Sequence, residues 1–299
     1  MGYWLLSLQY GIFKQVTQLI ASLRGSVLIK QYFVGNSIGR MLFAVRDTFE
    51  ILYKALLLPK VVGEAANNQM ATKLVISICK PNATFIDIGA HIGSIIGKVQ
   101  YLLPTVNIIA IEAILQKVVQ LIKHFPNIVI HQCAVGEASA EAIFYINRTQ
   151  SGYSSLLSPD KNSKDLIEEI KVTVKKLDNL IIADNVDVIK IDVEGAELSV
   201  LCGATAVIAR CRPIIMFESG PSQDESNLGK EALYNFFKKI DYALFTPNRL
   251  AHSCIGMTLG GFIDCHVYPR LSTNFFAVPL ERGEEVKQSA YRLLHKTSK

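Results

Sequence analysis

The stretch TFIDIGAHIGS at residues 84–94 decides the fold. It begins with β-branched and apolar residues, turns at Gly89 and Gly93, and continues into apolar residues at helical spacing. Glycine has no Cβ and reaches positive φ freely, so such a turn lets a ligand approach the backbone closely. The helix behind the turn, which starts near Ser94, presents unsatisfied N–H groups to that ligand. The stretch therefore predicts a strand, a ligand-binding turn and a helix.

The alternation of strands and helices continues along the chain. Residues 136–147 are predicted to form a hairpin of short strands, and residues 197–209 a single helix. Further strands are predicted at residues 106–112, 127–133, 171–175, 187–192, 213–218, 242–246 and 272–278. Continuous apolar strands that alternate with helices indicate a mostly parallel sheet covered on both faces, which is an α/β fold.

Composition and charge restrict the function. Half of the 299 residues are apolar and 19% are charged, so we expect a large core. Residues 1–60 hold seven basic and two acidic residues and account for the whole net charge of +5. The balanced remainder argues against nucleic acid as a partner. The six cysteines lack zinc-site spacing, and we expect reduced thiols in a cytoplasmic protein without a signal peptide or a membrane span.

The amino-terminal region is predicted to be helical. Apolar residues at steps of three and four predict an amphipathic helix at residues 3–24, and a second helix is predicted at residues 38–58. Two roles stay open for residues 1–60. They pack on the main domain or on a second copy of the chain, or their basic residues attach the protein peripherally to an anionic membrane.

Acidic residues end four of the predicted strands: Asp87, Glu112, Asp192 and Glu218. Doubly wound sheets bind ligands outside the carboxyl ends of their strands, so we expect these side chains to converge. Glu112 follows Gly89 at a spacing that suits an acid accepting hydrogen bonds from both ribose hydroxyls of a nucleotide.

The spacing of the glycines bears on the choice of cofactor. Gly89 and Gly93 are separated as G-x-x-x-G, and His91 stands where a dinucleotide fingerprint has its middle glycine. This spacing disfavours NAD and FAD, and the preceding D-x-G favours S-adenosylmethionine. Asp87 would then organise the turn and reach the amino group of the methionine part, and His91 would contribute its backbone.

Asp192, Glu194 and Glu218 are the candidate catalytic acids. Asp192 and Glu194 stand two residues apart at a strand end and can point to the same side of the chain. We expect one of them to contact the acceptor or act as the base, and the other to bind the methionine end of the cofactor. Two alternatives are that Asp192 and Glu194 cap the following helix, and that the three acids hold a divalent metal. No metal is predicted.

Six segments carry a resemblance to a known family. In chain order they are FIDIGAHIG, IAIEA, HQCAVGE, GYSSL, VTVKKLD and IKIDVEGAE. Together they resemble the FkbM-type family of class I S-adenosylmethionine-dependent methyltransferases over roughly residues 64–280. The resemblance implies a seven-stranded Rossmann-like sheet and methylation of hydroxyls on saccharides, glycolipids or secondary metabolites. It also implies that Asp87, Gly89, Gly93 and Glu112 bind the cofactor and that Ala134 and Val135 flank its adenine. The family often has Asn at the position of His91, so this residue departs modestly from the family's pattern.

The sequence therefore predicts an S-adenosylmethionine-dependent O-methyltransferase with a small-molecule or glycan acceptor. The predicted division is a helical extension at residues 1–63, a methyltransferase domain at residues 64–280 and a tail at residues 281–299. Two alternatives stay open: a cofactor-binding module of this fold without turnover, and an N-methyltransferase.

Overall fold

The computed structural model describes residues 37–149, 154–157, 166–220, 227–252 and 255–296. The predicted helix at residues 3–24 and the first half of the GYSSL segment lie outside the described residues. Of the helices that are described, none is both long enough and apolar enough to cross a membrane.

Among the described residues, two helices precede the sheet, and the first of them agrees with the helix predicted at residues 38–58. α1 spans Ser37–Leu57 and α2 spans Val62–Ile78, and a short 3-10 turn at Pro59–Val61 joins them. Proline cannot continue a helix, which explains why α1 ends before Pro59. α2 buries Leu74 and Val75 in the core.

The α/β region begins at β1 and alternates strands with helices. Its first half contains β1 Thr84–Ile88, α3 Ser94–Leu102, β2 Asn107–Glu112, α4 Leu115–His124, β3 Val129–Gln132, β4 Ala134–Val135, β5 Ala140–Asn147, β6 Ile167–Lys175 and α5 Leu177–Leu180. Its second half contains β7 Val186–Ile191, α6 Glu197–Cys202, α7 Thr205–Cys211, β8 Ile214–Glu218, α8 Leu228–Lys239, β9 Tyr242–Phe245, α9 Leu259–Asp264, β10 Asn274–Pro279 and α10 Gly283–Lys296.

The main sheet has seven strands in the order β3-β2-β1-β7-β8-β10-β9. β10 is antiparallel to β8 and β9, and the other neighbouring strands are parallel. The chain moves from β1 to β2 on one side and from β7 to β8 on the other, so the strand order reverses between β1 and β7. Ligands of doubly wound sheets bind at such a switch point. The predicted seven-stranded, mostly parallel sheet is confirmed.

Helices cover both faces of this sheet. Side chains alternate along a strand, so Phe85 packs into the apolar core on one face, and Ile86 and Ile88 pack into the core on the other. The first core includes residues of α2, α3 and α10, and the second includes residues of α6, α7 and α8. This double covering buries the central strands, which explains their continuous apolar sequences.

The predicted hairpin at residues 136–147 is wrong. β5 is one strand, and it pairs in antiparallel register with β6. β4, β6 and β5 form a separate three-stranded sheet in that order. A strand's alternating pattern determines which of its faces is buried but not which strand it pairs with, and the partner here comes from a later part of the chain.

The single helix predicted at residues 197–209 is also wrong. The structure has two helices, α6 and α7, with Gly203 between them. A Cβ atom at Gly203 would lie 2.0 Å from the Gly136 carbonyl oxygen, so the chain passes close to the segment after β4 here. Glycine allows this approach and ends α6.

The carboxyl-terminal segment is a helix that packs on the domain. α10 lies against α2, and the Ser77 hydroxyl donates a hydrogen bond of 3.0 Å to the Ser289 carbonyl oxygen. Val286 and Ala290 are buried in the same core as α2 and α3. The division into residues 1–63, 64–280 and 281–299 remains a prediction.

Candidate active site at the switch point

A cavity of about 450 Å³ opens at the carboxyl ends of β1, β2, β7 and β8. Ten of the eleven predicted site residues line it: Asp87, Gly89, His91, Ser94, Glu112, Ala134, Val135, Asp192, Glu194 and Glu218. Gly93 is not among the lining residues. The fold thus brings the ends of four strands together at one cavity, and the roles proposed for these residues remain predictions.

Gly89 and Gly93, the two glycines of the turn, make close contacts with different parts of the structure. Gly89 has a φ of +76°, and a Cβ atom there would lie 1.8 Å from the Asp192 carbonyl oxygen, so β1 and β7 meet closely at this point. Gly93 has a φ of +77°, and its missing Cβ would lie 2.4 Å from the Phe125 ring. Gly93 therefore packs the start of α3 against the core, and Gly89 shapes the cavity.

Glu112 braces the turn. Its two carboxylate oxygens accept hydrogen bonds from the backbone N–H groups of His91, at 2.8 Å, and Ile114, at 3.0 Å. The side chain is buried, and burial raises its pKa. This structural role was not predicted from the sequence. Each carboxylate oxygen keeps a further lone pair, so the predicted bond to ribose stays compatible with the bracing role.

A buried lysine links the turn to the candidate catalytic acids. The Lys190 ammonium lies 3.0 Å from Asp87 Oδ1, 3.1 Å from Asp192 Oδ2 and 3.4 Å from the Gly89 carbonyl oxygen. Burial alone would lower the pKa of Lys190, but the Asp192 and Asp87 carboxylates outweigh it and raise that pKa. Lys190 therefore stays charged and holds both acids.

The three candidate acids are crowded together. Carboxylate oxygens of Asp192, Glu194 and Glu218 lie within 4.8 Å of one another. Burial and the nearby Asp192 raise the pKa of Glu194 to about 7. Burial, Asp192 and Glu194 raise the pKa of Glu218 far above its usual range. Burial acts on Asp192 in the same direction, but Lys190 and a hydrogen bond from Glu218 hold the pKa of Asp192 below its usual value.

These pKa shifts give the three carboxyl groups different protonation states. Asp192 is ionised at neutral pH, Glu218 keeps its proton, and Glu194 titrates close to neutrality. A group that titrates near the working pH is best suited to accept a proton during a reaction. The cluster can therefore hold a hydroxyl and remove its proton.

Glu197 stabilises the turn after β7. Its Oε1 accepts a hydrogen bond of 2.9 Å from the Gly195 N–H, at the start of α6. The sequence left open that Asp192 and Glu194 cap this helix, but among the described residues it is Glu197 that accepts the hydrogen bond from the turn. Asp192 and Glu194 instead line the cavity.

The Ser-rich segment before β6 packs on the same turn. The Ser155 hydroxyl donates a hydrogen bond of 2.8 Å to the Glu194 carbonyl oxygen. Glu194 itself has a positive φ of 53°, an uncommon conformation for a residue with a Cβ atom. A Cβ atom at Gly195 would lie 2.6 Å from Leu157 Cδ1. Residues 154–157 therefore help to hold Glu194 in its strained position.

A comparison with models of protein families identifies the family of the chain. The family model described as the methyltransferase FkbM domain matches residues 87–247, which is more than half of the chain. The chain belongs to the FkbM methyltransferase family. A search of curated proteins found no match.

Solved methyltransferases resemble the chain at low identity. A methyltransferase FkbM from Methylobacillus flagellatus KT is 20% identical over 66% of this chain, with a TM-score of 0.40. The chain spans 43% of that protein's length. A precorrin-6y C5,15-methyltransferase from Geobacter metallireducens GS-15 is 17% identical over 59% of this chain and 72% of its own, with a TM-score of 0.35. The plantazolicin methyltransferase BpumL, solved with SAH, is 11% identical over 88% of this chain and 97% of its own, with a TM-score of 0.34.

The strand order and the family match give the FkbM chain a class I methyltransferase fold, and S-adenosylmethionine is its cofactor. The cavity residues fit this molecule. Asp87 Oδ2 is buried and has no hydrogen-bond partner among the described residues, and the ammonium of the cofactor's methionine part can donate to such an atom. Val135, Phe144 and Leu156 line the cavity with apolar surface that suits a flat nucleobase.

Sequence reasoning missed Lys98, Lys117, Phe144 and Lys190. One signal for Lys190 was present, because a lysine interrupts the otherwise apolar end of β7 and a buried charge needs a partner. Asp87 stands opposite Lys190 in the register of β1 with β7. Lys98 and Phe144 carried no such signal, since their helix and strand positions do not show which way they face.

Proposed function

We propose that this FkbM methyltransferase transfers a methyl group from S-adenosylmethionine to a hydroxyl oxygen of a saccharide, glycolipid or secondary metabolite. The convergence of Asp192, Glu194 and Glu218 beside the cofactor turn carries the proposal. A hydroxyl must lose its proton on methylation, so a base beside the acceptor is useful for O-methylation.

Each acid has a proposed role. S-adenosylmethionine supplies an electrophilic methyl group on a sulfonium. Glu194, whose pKa lies at about 7, accepts the proton of the acceptor hydroxyl. Glu218 keeps its own proton and donates its single O–H hydrogen bond to Asp192. Asp192, ion-paired with Lys190, fixes the positions of both. Positioning of this kind accounts for the larger part of the rate acceleration, because it can lower the activation barrier by up to about 7–11 kcal/mol.

The remaining site residues would hold the cofactor. Asp87 Oδ2 accepts from its amino group, Glu112 accepts from the ribose hydroxyls, and Ala134 and Val135 flank the adenine. Gly89 and the backbone of His91 leave room for the methionine chain. Asp87 Oδ2, which is buried and has no hydrogen-bond partner among the described residues, supports this placement most directly.

Two alternatives differ in their predicted chemistry. A binding module without turnover would tolerate loss of the acids, whereas here all three are present and mutually oriented. An N-methyltransferase that acts on an amine would depend less on Glu194, because an unprotonated amine attacks through its own lone pair.

Substitution of the acids tests the proposal. We expect Glu194→Gln and Asp192→Asn to lose methyl transfer from labelled S-adenosylmethionine to a cell extract, while calorimetry shows that at least one still binds SAH. Glu169→Gln, at an exposed position on β6, serves as the matched control. Transfer at the wild-type rate by both variants would overturn the assignment.

We further propose that α1 attaches the enzyme to an anionic membrane surface. From Val45 to the end of α1 no residue is buried. Val45, Phe49, Leu52 and Leu56 form one stripe along the helix and are 46–63% exposed. Residues 1–60 carry the entire net charge of the chain, which complements anionic lipid headgroups.

Vesicle pelleting tests the membrane proposal. We expect the protein to pellet with anionic vesicles at low salt and to be released at high salt, because salt screens the attraction to the headgroups. Replacing Phe49 and Leu52 by Ser should reduce pelleting, whereas Val119→Ser, at an exposed apolar position of α4, should not. Binding that ignores salt or the α1 substitutions would contradict the proposal.

The compartment and acceptor remain proposals as well. We place the enzyme in the cytoplasm because the described cysteines are free thiols. The balanced charge outside residues 1–60 supports a small-molecule or glycan acceptor over nucleic acid.

A further inference from the structure

The strand next to β8 extends the polar rim of the cavity. β10 runs antiparallel to β8, so it begins at the edge of the sheet where β8 ends, and Asn274 lies opposite Glu218 in their register. Side chains of directly opposite residues lie on the same face of a sheet. Met216, two residues before Glu218 and on that face, also lines the cavity. Asn274 therefore stands beside the acid cluster, on the side away from β1.

Asn68 of α2 joins Asn274 in a pair of amides. Asn68 Oδ1 accepts hydrogen bonds of 3.0 Å from Asn274 Nδ2 and 3.2 Å from the Thr273 hydroxyl. Asn68 precedes Thr72 by four residues, so both lie on one face of α2, and Thr72 lines the cavity. The two amides, both half-buried, thus lie at the margin of the cavity between α2 and β10.

Each of the two amides has a polar atom that no described residue uses. A side-chain amide offers two N–H donors and a carbonyl acceptor. Among the described residues, Asn68 Nδ2 and Asn274 Oδ1 have no hydrogen-bond partner. The neighbouring Asn67 differs, because it is buried, donates to the Leu271 carbonyl oxygen and accepts from the Asn248 N–H. Asn67 therefore holds α2 in place, whereas Asn68 and Asn274 can bind a ligand.

The amide pair lies on the acceptor's side of the acid cluster. β10 is the third strand from β1, and neighbouring strands are about 4.8 Å apart, so β10 lies about 14 Å from the cofactor turn. The ends of β7 and β8, which carry Asp192 and Glu218, stand between the two. In the proposed reaction the acceptor hydroxyl meets the acids from the side opposite the cofactor. A ligand group that reaches the amides therefore belongs to the acceptor.

The chemistry of the pair fits neighbouring hydroxyl groups. The amides carry no charge, and one helical turn before Asn68 the charges of Glu64 and Arg270 compensate each other across 3.3 Å. A hydroxyl both donates and accepts, so two hydroxyls side by side complement the free donor of Asn68 and the free acceptor of Asn274. Among the acceptor classes of the proposed function, saccharide rings are those that carry such neighbouring hydroxyls throughout.

We propose that Asn68 and Asn274 bind the hydroxyl groups beside the methylated one on a saccharide ring and so select the acceptor. Asn68 Nδ2 donates to one of these hydroxyls, and Asn274 Oδ1 accepts from its neighbour. This inference rests on the proposed O-methylation and adds the class of acceptor to it. The saccharide is free or is the headgroup of a glycolipid, since both offer the same hydroxyls.

Two single substitutions test this acceptor subsite with labelled S-adenosylmethionine and a cell extract. We expect Asn68→Ala and Asn274→Ala each to slow methyl transfer roughly twofold to tenfold in dilute extract, the range for loss of a neutral hydrogen bond, and less in concentrated extract. Such a dependence on acceptor concentration is an effect on KM, which a loss of folded protein does not produce. SAH binding by calorimetry should stay unchanged. Asn107→Ala, at the exposed start of β2, should alter neither property.

The labelled product tests the class of acceptor. Acid hydrolysis should release a labelled O-methyl monosaccharide, from the aqueous phase if the saccharide is free and from the organic phase if it belongs to a glycolipid. An O-methyl product without a saccharide, undiminished transfer by both variants in dilute extract, or loss of SAH binding in both would overturn the subsite and leave the proposed O-methylation standing. An N-methyl product, or no labelled product with the wild-type protein, would contradict the proposed function itself and the subsite with it.

Discussion

Lys190 is the residue that connects the cofactor turn with the cluster of three acids. Its ammonium touches Asp87, at the cofactor turn, and Asp192, in the acid cluster. Three carboxyl groups can share a small volume here because this lysine neutralises one of them and a proton on Glu218 neutralises another. The site is thus an electrostatic unit whose members set one another's charge.

Removal of Lys190 should destabilise the fold. Lys190→Met leaves two buried or half-buried carboxylates without their cation, and breaking such a pair lowers the free energy of unfolding by about 3–5 kcal/mol. Urea unfolding at alkaline and at mildly acidic pH measures this. The loss of stability should be smaller at acidic pH, because Asp87 and Asp192 take up protons in the variant and are then no longer uncompensated charges. Lys171→Met, exposed on β6, should change little, and an equal effect of both substitutions would contradict the electrostatic role.

The pH dependence of the reaction should report Glu194. A base must be ionised to accept a proton, and the pKa of Glu194 lies at about 7, so the rate should rise as pH passes through neutrality. Glu218 must keep its proton in the proposed mechanism, so the rate should fall again at more alkaline pH. A pH–rate profile of kcat/KM on the identified acceptor tests this. A rate that is constant across neutral pH would exclude Glu194 as the base.

The turn between β1 and α3 has no room for a side chain at Gly89. Gly89 combines a positive φ with a backbone oxygen 1.8 Å from the position of a Cβ atom. Sequence reasoning predicted the turn and its glycines because a strand, a helix and the residues between them leave a local pattern. The antiparallel pairing of β5 with β6 was not predicted, because pairing between distant segments leaves no local pattern in the sequence.

Two glycine substitutions should have opposite effects. Gly89→Ala should lower the free energy of unfolding by at least about 1–3 kcal/mol from its backbone conformation alone, and SAH binding should be lost. Gly63→Ala, in the exposed first turn of α2 with nothing within 4 Å of the added atom, should raise it by about 0.5–1 kcal/mol. Thermal unfolding with and without SAH measures both. A stable, SAH-binding Gly89→Ala protein would show that β1 and β7 do not meet as described.

The whole molecule positions its chemistry through the reversal of strand order. Because the sheet winds in opposite directions from β1 and β7, the ends of β1, β2, β7 and β8 surround one cavity. The acids at these ends could be predicted from the sequence, since strand ends are local features. Lys98, Lys117 and Phe144 could not, since their places depend on how α3, α4 and the small sheet pack around the cavity.

We propose O-methylation as the reaction of this FkbM methyltransferase. The most direct measurement is NMR of the product formed from S-adenosylmethionine with an isotopically labelled methyl group, after purification of the labelled compound from an extract. We predict a methoxy signal on a saccharide, glycolipid or secondary metabolite, present with the wild-type protein and absent with Glu194→Gln. An N-methyl signal, or a wild-type protein that binds SAH and transfers no label, would contradict O-methylation.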